Sequence, residues 1–339
     1  MADDLNIYTQ PYSTNSVRIT NVDDLNIVSP NKTENDIDIQ NDIDIQNDPS
    51  LDNTNLINKI SDSIYFFIFS STILFLYLIV LTVLTIIYNK DLDKYFWLNQ
   101  FTKYIFISII QVCMAVLVVY KNTKVNYTRK VIHISYFIIP QLLDIALIKY
   151  NKNRFTELWN IWLILFLLFI LSEPVRKIVK PIDFMFKAVD RPEDRPYTLF
   201  WFSSQIITTL IVIIPFSIYF SNINKIGFVF IPILVNGLAD GLAEPIGIRF
   251  GMNKYKTKAC LSNRIYERSY EGSFCVFIIT MIIIVSYYEY MFIKQYIFLI
   301  VTLPISITFT EAYSPHTWDS PFIYFVVCSF LTISEYLPN

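Results

Sequence analysis

The chain has 339 residues, of which 54% are hydrophobic, and its mean hydropathy is +0.43. This composition excludes an ordinary soluble domain, and apolar runs of close to membrane-spanning length predict a multi-pass membrane protein. Lys and Arg number 27 against 29 Asp and Glu, a net charge of −2 that argues against a nucleic-acid partner.

The first part of the chain differs in composition from the rest. Residues 1–61 are rich in Asn, Asp and Ile, and the sequence Asn-Asp-Ile-Asp-Ile-Gln occurs at 35–40 and again at 41–46. Such a biased, polar segment buries too little apolar surface to fold alone. We therefore expect residues 1–61 to be a disordered, low-complexity tail and residues 62–339 to be a polytopic membrane domain.

Apolar segments fill most of the remaining sequence and predict an all-α bundle of transmembrane helices. We count nine spans, with eight as the alternative: 64–87, 104–120, 131–148, 158–172, 199–220, 226–248, 273–288, 293–310 and 321–334. Sixteen Lys and Arg residues lie in the loops at 121–130, 173–198, 249–272 and 311–320. The alternate loops at 88–103, 149–157, 221–225 and 289–292 hold eight when the adjacent Lys294 is included. The positive-inside rule places the first set of loops, and the tail, in the cytosol.

Four of the six glycines lie in one apolar segment, residues 236–251, together with two carboxylates and a proline. Glycine permits close approach of another backbone or a ligand. At about 100° per residue, five residues share one face of a helix: Asn236, Asp240, Glu244, Gly247 and Gly251. Pro245 cannot donate a hydrogen bond to the Gly241 carbonyl, so we expect the helix to kink or break there.

The two carboxylates of this segment are spaced to act together. Asp240 and Glu244, at i and i+4, can jointly hold a hard divalent cation. The following loop supplies six basic residues suited to a polyphosphate: Arg249, Lys254, Lys256, Lys258, Arg264 and Arg268. An acid pair, a cation and basic groups are the parts of a phosphoryl-transfer site. The alternative is that the glycines are helix-packing faces and the acids pair with Arg on a neighbouring helix.

Further polar clusters fall in the predicted cytosolic loops. They contain Arg129, Lys130 and His133 before the third span, Arg195 in the longest loop, Arg268, Ser269, Glu271 and Gly272 before the seventh span, and Glu311 and Asp319 between the last two spans. Because these loops lie on one side of the membrane, we expect them to converge on a single site.

Several of these motifs, in this order, resemble a known enzyme group. They are Arg129-Lys-x-x-His133, Ala239-Asp-Gly-Leu-Ala-Glu-Pro-Ile-Gly-Ile-Arg-Phe-Gly251, Lys254-Tyr255, Arg268-Ser-Tyr-Glu-Gly-Ser273 and Glu311…Asp319-x-Pro321. Together they resemble the polyprenol kinase group, which comprises phytol kinases, dolichol kinases and CTP-dependent diacylglycerol kinases and is related to phosphatidate cytidylyltransferases. Ala239 stands where many relatives have Gly, and Arg268 where they often have Lys.

The resemblance implies a kinase that uses CTP with Mg²⁺ to phosphorylate a membrane lipid alcohol at the cytosolic face. Asp240 becomes the leading catalytic or metal residue, with Glu244 beside it. The residues expected to bind nucleotide are Arg129, Lys130, His133, Arg249, Lys254, Lys256, Arg268, Ser269, Glu271 and Gly272. Other expected site residues are Asn236, Arg195, Glu311 and Asp319.

Two alternative functions stay open from the sequence. One is a CTP:phosphatidate cytidylyltransferase, although its C-terminal glycine-containing signature has no counterpart because no glycine follows Gly272. The other is a polytopic transporter or a non-catalytic membrane protein, since helices interrupted by glycine and proline also build transport sites. The endoplasmic reticulum is the expected membrane, with a plastid or another organelle membrane as the alternative.

Overall fold

The structure, a computed structural model, describes residues 49–87, 92–147, 154–195, 197–258, 265–315 and 318–337. The chain divides into two units, Met1–Leu56 and Ile57–Asn339. Of the predicted tail, residues 1–48 lie outside the described residues, and residues 49–61 belong to the first helix. Arg264 also lies outside them.

The described residues form twelve α-helices. They are α1 (Pro49–Ile87), α2 (Lys94–Lys121), α3 (Val125–Leu147), α4 (Arg154–Ile170), α5 (Glu173–Ile178), α6 (Lys180–Phe186), α7 (Thr198–Asn222), α8 (Phe230–Leu234), α9 (Gly241–Phe250), α10 (Tyr270–Ser286), α11 (Ile293–Tyr313) and α12 (Asp319–Glu335). Local signals explain several boundaries. Asp93 caps α2 by accepting the Phe96 N–H at 2.8 Å, and Asn122, in the left-handed conformation at φ 51°, ends that helix.

Six of the described helices are long and apolar enough to cross a membrane. They are Ile64–Ile87, Lys94–Lys121, Val125–Leu147, Thr198–Asn222, Ile226–Phe250 and Ile293–Tyr313. The multi-pass all-α bundle is therefore supported, whereas the count of eight or nine spans is not confirmed. Leu158–Ile170 and Tyr270–Ser286 are apolar but shorter, and α12 has 17 residues.

The helical segment Ile226–Phe250 is the most buried of the six. It begins with a 3₁₀ turn, Ile226–Val229, continues as α8, and then passes through a π-helical stretch, Val235–Asp240, into α9. The expected break at Pro245 was wrong, because α9 is helical through that residue. The irregularity lies earlier, in the π stretch, a form that occurs mostly as short insertions within α-helices and often at functional sites.

The core of the bundle surrounds this central segment. Buried side chains of α8, the π stretch and α9 pack with those of α7, α10, α11 and α12 in one hydrophobic cluster that includes Val235, Ala239, Val276, Leu303 and Val327. On another side the segment contacts α3, which also packs on α2. A buried ion pair, Lys103 Nζ to Asp144 Oδ1 at 2.6 Å, joins α2 to α3. The central segment is thus held on several sides, and its side chains are positioned by packing.

A short antiparallel hairpin interrupts the helical pattern after α9 and was not predicted. Strands β1 (Lys254–Lys258) and β2 (Ile265–Ser269) pair with Lys254 opposite Ser269 and Lys256 opposite Glu267. The alternation of Lys and Tyr or Thr in β1 gives the period of two that suits a strand. The hairpin leads directly into α10, whose first turn is capped by Ser269 Oγ accepting the Gly272 N–H at 3.1 Å.

Candidate active site

Asp240 is the most buried carboxylate of the central segment, with its side chain 3% exposed. The Lys130 ammonium lies 3.0 Å from its Oδ1 and 3.1 Å from its Oδ2, and also donates to the Asp240 carbonyl oxygen at 3.1 Å. His133 Nε2 lies 3.3 Å from Oδ2 and 3.0 Å from the Asn236 carbonyl oxygen. Lys130 and His133, at i and i+3 of α3, therefore both face the acid from the neighbouring helix.

Glu244 lies one turn further along, and its carboxylate contacts a larger set of groups. Its Oε2 accepts from Arg129 Nη2 at 2.7 Å and its Oε1 from Asn126 Nδ2 at 2.8 Å. Lys130 Nζ lies 3.8 Å from Oε2, so one ammonium contacts both acids. Arg191 Nη1 reaches within 3.8 Å of Oε1 from the loop before α7. This is the neighbouring-helix pairing that the packing alternative predicted.

Two further carboxylates complete the cluster from α11 and α12. Glu311, 3% exposed, contacts the Arg268 guanidinium from β2. Asp319, at the first position of α12, accepts from Gln205 Nε2 of α7 at 3.0 Å and from the Ser320 N–H at 3.0 Å. The cluster therefore contains four carboxylates and four Lys or Arg side chains: Asp240, Glu244, Glu311, Asp319, Arg129, Lys130, Arg191 and Arg268.

The charges of this cluster shift the pKa values of two of its members that lie outside the spanning helices, Asp319 and Arg268. Burial raises the pKa of Asp319, but the positive charges of Lys130 and Arg129 outweigh burial and hold that pKa below its usual value. Burial lowers the pKa of the Arg268 guanidinium, but the carboxylates of Glu311 and Asp319 outweigh burial and hold it above its usual value. Both groups are therefore ionised at neutral pH, as a charge-balanced cluster requires.

A cavity of about 310 Å³ opens beside this cluster. Its lining residues are Ala243, Glu244, Gly247, Ile248, Gly251, Lys254, Glu267, Arg268, Ser269, Gly272, Ser273 and Glu311. The walls come from α9, the hairpin, the first turn of α10 and the end of α11. Of the five residues predicted to share one helix face, Glu244, Gly247 and Gly251 line this cavity, whereas Asn236 and Asp240 do not.

Three of the lining glycines are needed for close packing. A Cβ at Gly251 would lie 2.2 Å from the Gly247 carbonyl oxygen and 2.8 Å from Ser269 Cβ, and a Cβ at Gly272 would lie 2.9 Å from the Ala243 carbonyl oxygen. At Gly247 it would lie 2.8 Å from Ser269 Oγ. No larger residue lets α9 approach Ser269 and α10 this closely. The glycines thus bring the acid-bearing helix against the hairpin that carries Lys254 and Arg268.

The acids of this site are the side chains that were expected to bind Mg²⁺. Among the described residues, no group of three or more His, Cys, Asp or Glu side chains is placed to hold a metal ion. Mg²⁺ in nucleotide sites is usually bound by one or two carboxylates and substrate phosphates, with water completing the shell. Asp240 fits that role only if Lys130 turns from it towards a phosphate. The protein groups therefore fit Mg²⁺ that arrives with a nucleotide and do not fit a resident metal centre.

The predicted site residues divide into two groups. Nearest the acids or the cavity are Asn236, Asp240, Glu244, Arg129, Lys130, His133, Lys254, Arg268, Ser269, Gly272, Glu311 and Asp319. The others do not line the cavity. Arg195 is exposed and pairs with Asp190 at 2.8 Å, and Arg249 and Lys256 are exposed. Glu271 accepts the Met252 and Asn253 N–H groups at 3.1 and 3.2 Å, which holds the turn before β1.

Sequence reasoning missed three residues that support the cluster. Arg191, 1% exposed, approaches Glu244 from the loop in which Arg195 had been expected to act. Asn126 contacts Glu244 from the first turn of α3, and Gln205 contacts Asp319 from α7. Asn126 precedes Arg129 by three residues, so its place on the same helix face was an available signal. Nothing local in the sequence distinguishes Arg191 from Arg195.

The chain matches no protein-family model, and comparisons with curated proteins and with solved structures found no match either. Its function is therefore inferred from the motifs and from the geometry of this site.

Proposed function

We propose that this chain is a membrane lipid kinase that transfers the γ-phosphoryl group of CTP to a lipid alcohol at the cytosolic face. The observation that carries the proposal is a pair of buried guanidinium groups with unused donors. Arg129 Nε and Arg268 Nε are both buried and have no hydrogen-bond partner within the described part of the chain, although each side chain already contacts a carboxylate. Guanidinium groups bind phosphate oxygens strongly through several donors at once, so these two nitrogens suit the phosphates of a nucleotide.

The position of the cavity supports a nucleotide donor. Lys254, Arg268 and Ser269 line it, and it lies at the end of the central segment, between α9 and the hairpin. A triphosphate placed there meets basic side chains and backbone made accessible by glycine. CTP, rather than another nucleotide, is the donor implied by the family that the motifs resemble, and an endoplasmic-reticulum location is the matching expectation.

The chemistry assigned to the acids follows from their surroundings. In the proposed reaction the acceptor hydroxyl loses its proton, its oxygen bonds to the γ-phosphorus, and the bond from that phosphorus to the β–γ bridging oxygen breaks to release CDP. Mg²⁺, when bound with CTP, supplies charge neutralisation at the phosphates. Asp240 accepts the hydroxyl proton once a phosphate has drawn Lys130 away from it, and His133 orients that carboxylate. Arg129 and Arg268 stabilise the charge that spreads over the phosphoryl oxygens.

One assay tests this proposal directly. Membranes containing the overexpressed chain are incubated with CTP labelled at the γ-phosphate and with phytol, dolichol, a shorter prenol or diacylglycerol, and a labelled lipid phosphate is expected. Asp240→Asn should lower the rate about 10²–10³-fold, because it removes charge at the reacting centre while preserving shape. Glu244→Gln should lower it less.

The control is Glu289→Gln, since Glu289 is exposed in the turn between α10 and α11 and should not affect the rate. A membrane-inserted Asp240→Asn protein that works at the wild-type rate contradicts the catalytic assignment. A parallel incubation with phosphatidate and CTP labelled at the α-phosphate distinguishes the kinase from the alternative enzyme, a CTP:phosphatidate cytidylyltransferase. Transfer of that label to lipid identifies a cytidylyltransferase and rejects the kinase.

A further inference from the structure

Asn236 is a buried amide in the π-helical stretch, one turn before Asp240. The residue is 0% exposed, and neither its Nδ2 nor its Oδ1 has a hydrogen-bond partner among the described residues. His133 Nε2 lies 3.0 Å from its backbone carbonyl oxygen. An amide buried among apolar helices is unfavourable unless its donor and acceptor are satisfied, so a purely structural asparagine should have found partners.

The order of groups along the central segment gives this amide a place in the site. Gly251 and Gly247 line the cavity, Glu244 lines it and contacts Arg129, Asp240 follows one turn deeper, and Asn236 one turn deeper again. At the α-helical rise of 1.5 Å per residue, α9 alone is about 15 Å long, and Asn236 lies beyond its Gly241 end, in the π stretch. The nucleotide cavity is thus at one end of this series, and Asn236 is at the other, within the bundle.

The placing of the two residues in one turn lets a single hydroxyl group reach both side chains. Asn236 and Asp240 are four residues apart in the π stretch, and His133 Nε2 lies 3.0 Å from the Asn236 carbonyl oxygen and 3.3 Å from Asp240 Oδ2. A hydroxyl on this face can accept from the amide and donate to the carboxylate. The amide carries a donor and an acceptor, as a hydroxyl does, whereas a carboxylate offers only acceptors and an ammonium only donors. The π stretch places an extra residue in this turn, and Gly237 and Gly241 let α3 pack closely beside it, with a Cβ on Gly237 only 2.7 Å from Phe137 Cβ.

We propose that the Asn236 side-chain amide binds the hydroxyl of the lipid acceptor and fixes the depth at which that hydroxyl meets Asp240. This inference rests on the proposed function, because it identifies Asn236 as the acceptor-binding residue of the same site. The acceptor enters from the bundle side while the nucleotide occupies the cavity. Asn236 is accordingly a residue that determines the choice of a lipid with a free hydroxyl.

The test compares Asn236→Leu with Thr332→Val. Leucine has the branched shape of asparagine and lacks polar atoms. Thr332 is a matched control, since its Oγ1 is also buried with no partner among the residues that the structure describes but lies 13 residues along α12 from Asp319. Asn236→Leu should raise the KM for the lipid alcohol by about tenfold or more and leave the KM for CTP unchanged. Its melting temperature in detergent should equal or exceed that of the wild type, because an unpaired polar group has been removed.

A binding measurement keeps this result separate from the kinase proposal. Phytol, dolichol, a shorter prenol and diacylglycerol are each compared with their deoxy analogues, which lack the hydroxyl oxygen, by the shift they cause in melting temperature. Wild-type protein should be stabilised more by at least one alcohol than by its deoxy analogue, and Asn236→Leu should show a smaller difference because the contact with the amide is lost. If this holds without phosphoryl transfer, the acceptor site stands and the kinase proposal fails.

Other results would overturn the inference. One is an unchanged lipid KM in Asn236→Leu, and another is no preference of the wild type for any alcohol over its deoxy analogue. A third is a lowered melting temperature with both KM values raised alike, which indicates a structural amide. If Asn236→Leu does not accumulate in membranes, Asn236→Ser is used instead. Serine keeps a donor and an acceptor on a shorter side chain. Its lipid KM should therefore be higher than that of the wild type and of Thr332→Val but raised less than tenfold. A lipid KM equal to that of the wild type rejects the proposal.

Discussion

Lys130 connects the two acids of the central segment. Its side chain is 6% exposed, and its ammonium contacts both oxygens and the backbone carbonyl of Asp240 as well as Glu244 at 3.8 Å. Three donors meet at least three acceptors, so the ammonium is well satisfied despite its burial. A buried ion pair of this kind adds little net stability compared with apolar residues, but removal of one partner leaves an uncompensated charge.

Substitutions at this pair can separate stability from chemistry. Lys130→Met leaves the buried Asp240 without its main cation and should lower the free energy of unfolding by about 3–5 kcal/mol. The double variant Lys130→Met/Asp240→Leu removes both charges and should regain most of that stability, yet remain inactive. Thermal unfolding in detergent and the lipid phosphorylation assay together measure both effects. Wild-type stability of the single variant, or activity of the double variant, would contradict these assignments.

The hairpin is the element that brings basic groups to the cavity. Lys254 begins β1 and lines the cavity, while Lys256, two residues and about 7 Å further along the strand, is exposed and does not. Lys254 Nζ lies 2.6 Å from Glu267 Oε1, but both side chains are at least half exposed, so this ion pair adds little to the stability of the fold. We therefore expect Lys254 to act in ligand binding and not in the stability of the fold.

Matched substitutions in β1 test the role of this element. Lys254→Gln should raise the KM for CTP by about tenfold, because a charge-assisted contact to phosphate is worth roughly 1.5–3 kcal/mol, without changing the melting temperature. Lys256→Gln removes an identical charge from the next position on the same strand face and should leave that KM unchanged. Titration of CTP in the kinase assay at constant ionic strength makes the comparison. Equal effects of the two variants would show that only general electrostatic attraction operates.

At the scale of the whole molecule, the two ends of the bundle differ. One end gathers the acid cluster, the cavity and the hairpin. Near the other end, Lys225 contacts Glu335 at 2.8 and 2.6 Å, and Gln295 Nε2 donates to Glu335 at 3.2 Å, which ties the C-terminal ends of α7 and α12 to the start of α11. The excess of basic residues lies in the loops at the first end, which the positive-inside rule places in the cytosol.

Orientation in the membrane is the prediction at this scale. Single cysteines introduced at Asn122, Lys187 or Lys258 into a variant without the four native cysteines should react with a membrane-impermeant maleimide from the cytosolic side. Cysteines at Asn224 or Glu289 should react from the opposite side; all five positions are exposed. A tag at the N-terminus should report the cytosol. Reaction of the first three positions only from the opposite side would reject the proposed cytosolic site.

The sequence alone determined the membrane class, the helical character of most segments and the groups that form the site. Apolar runs report burial in lipid directly, and the spacing of Asp240 and Glu244 places them on one helix face because helical period is a local property. The motifs before the third and seventh spans, in the longest loop and between the last two spans were also predicted to converge on one region. The distances from Arg129 to Glu244 and from Arg268 to Glu311 agree with that convergence.

Only the tertiary structure decided which acidic and basic side chains form ion pairs. The contact between Lys130 and Asp240 joins residues 110 apart in sequence, and no local period specifies it. The same holds for Arg191, which reaches Glu244 although Arg195 has the same charge four residues away and pairs with Asp190. The π stretch before Asp240 and the persistence of helix through Pro245 depend on packing against α3 and α10, which overrides the local preference of proline. Partner choice and helix irregularity follow from the arrangement of the whole bundle, because both are set by neighbours that are distant in sequence.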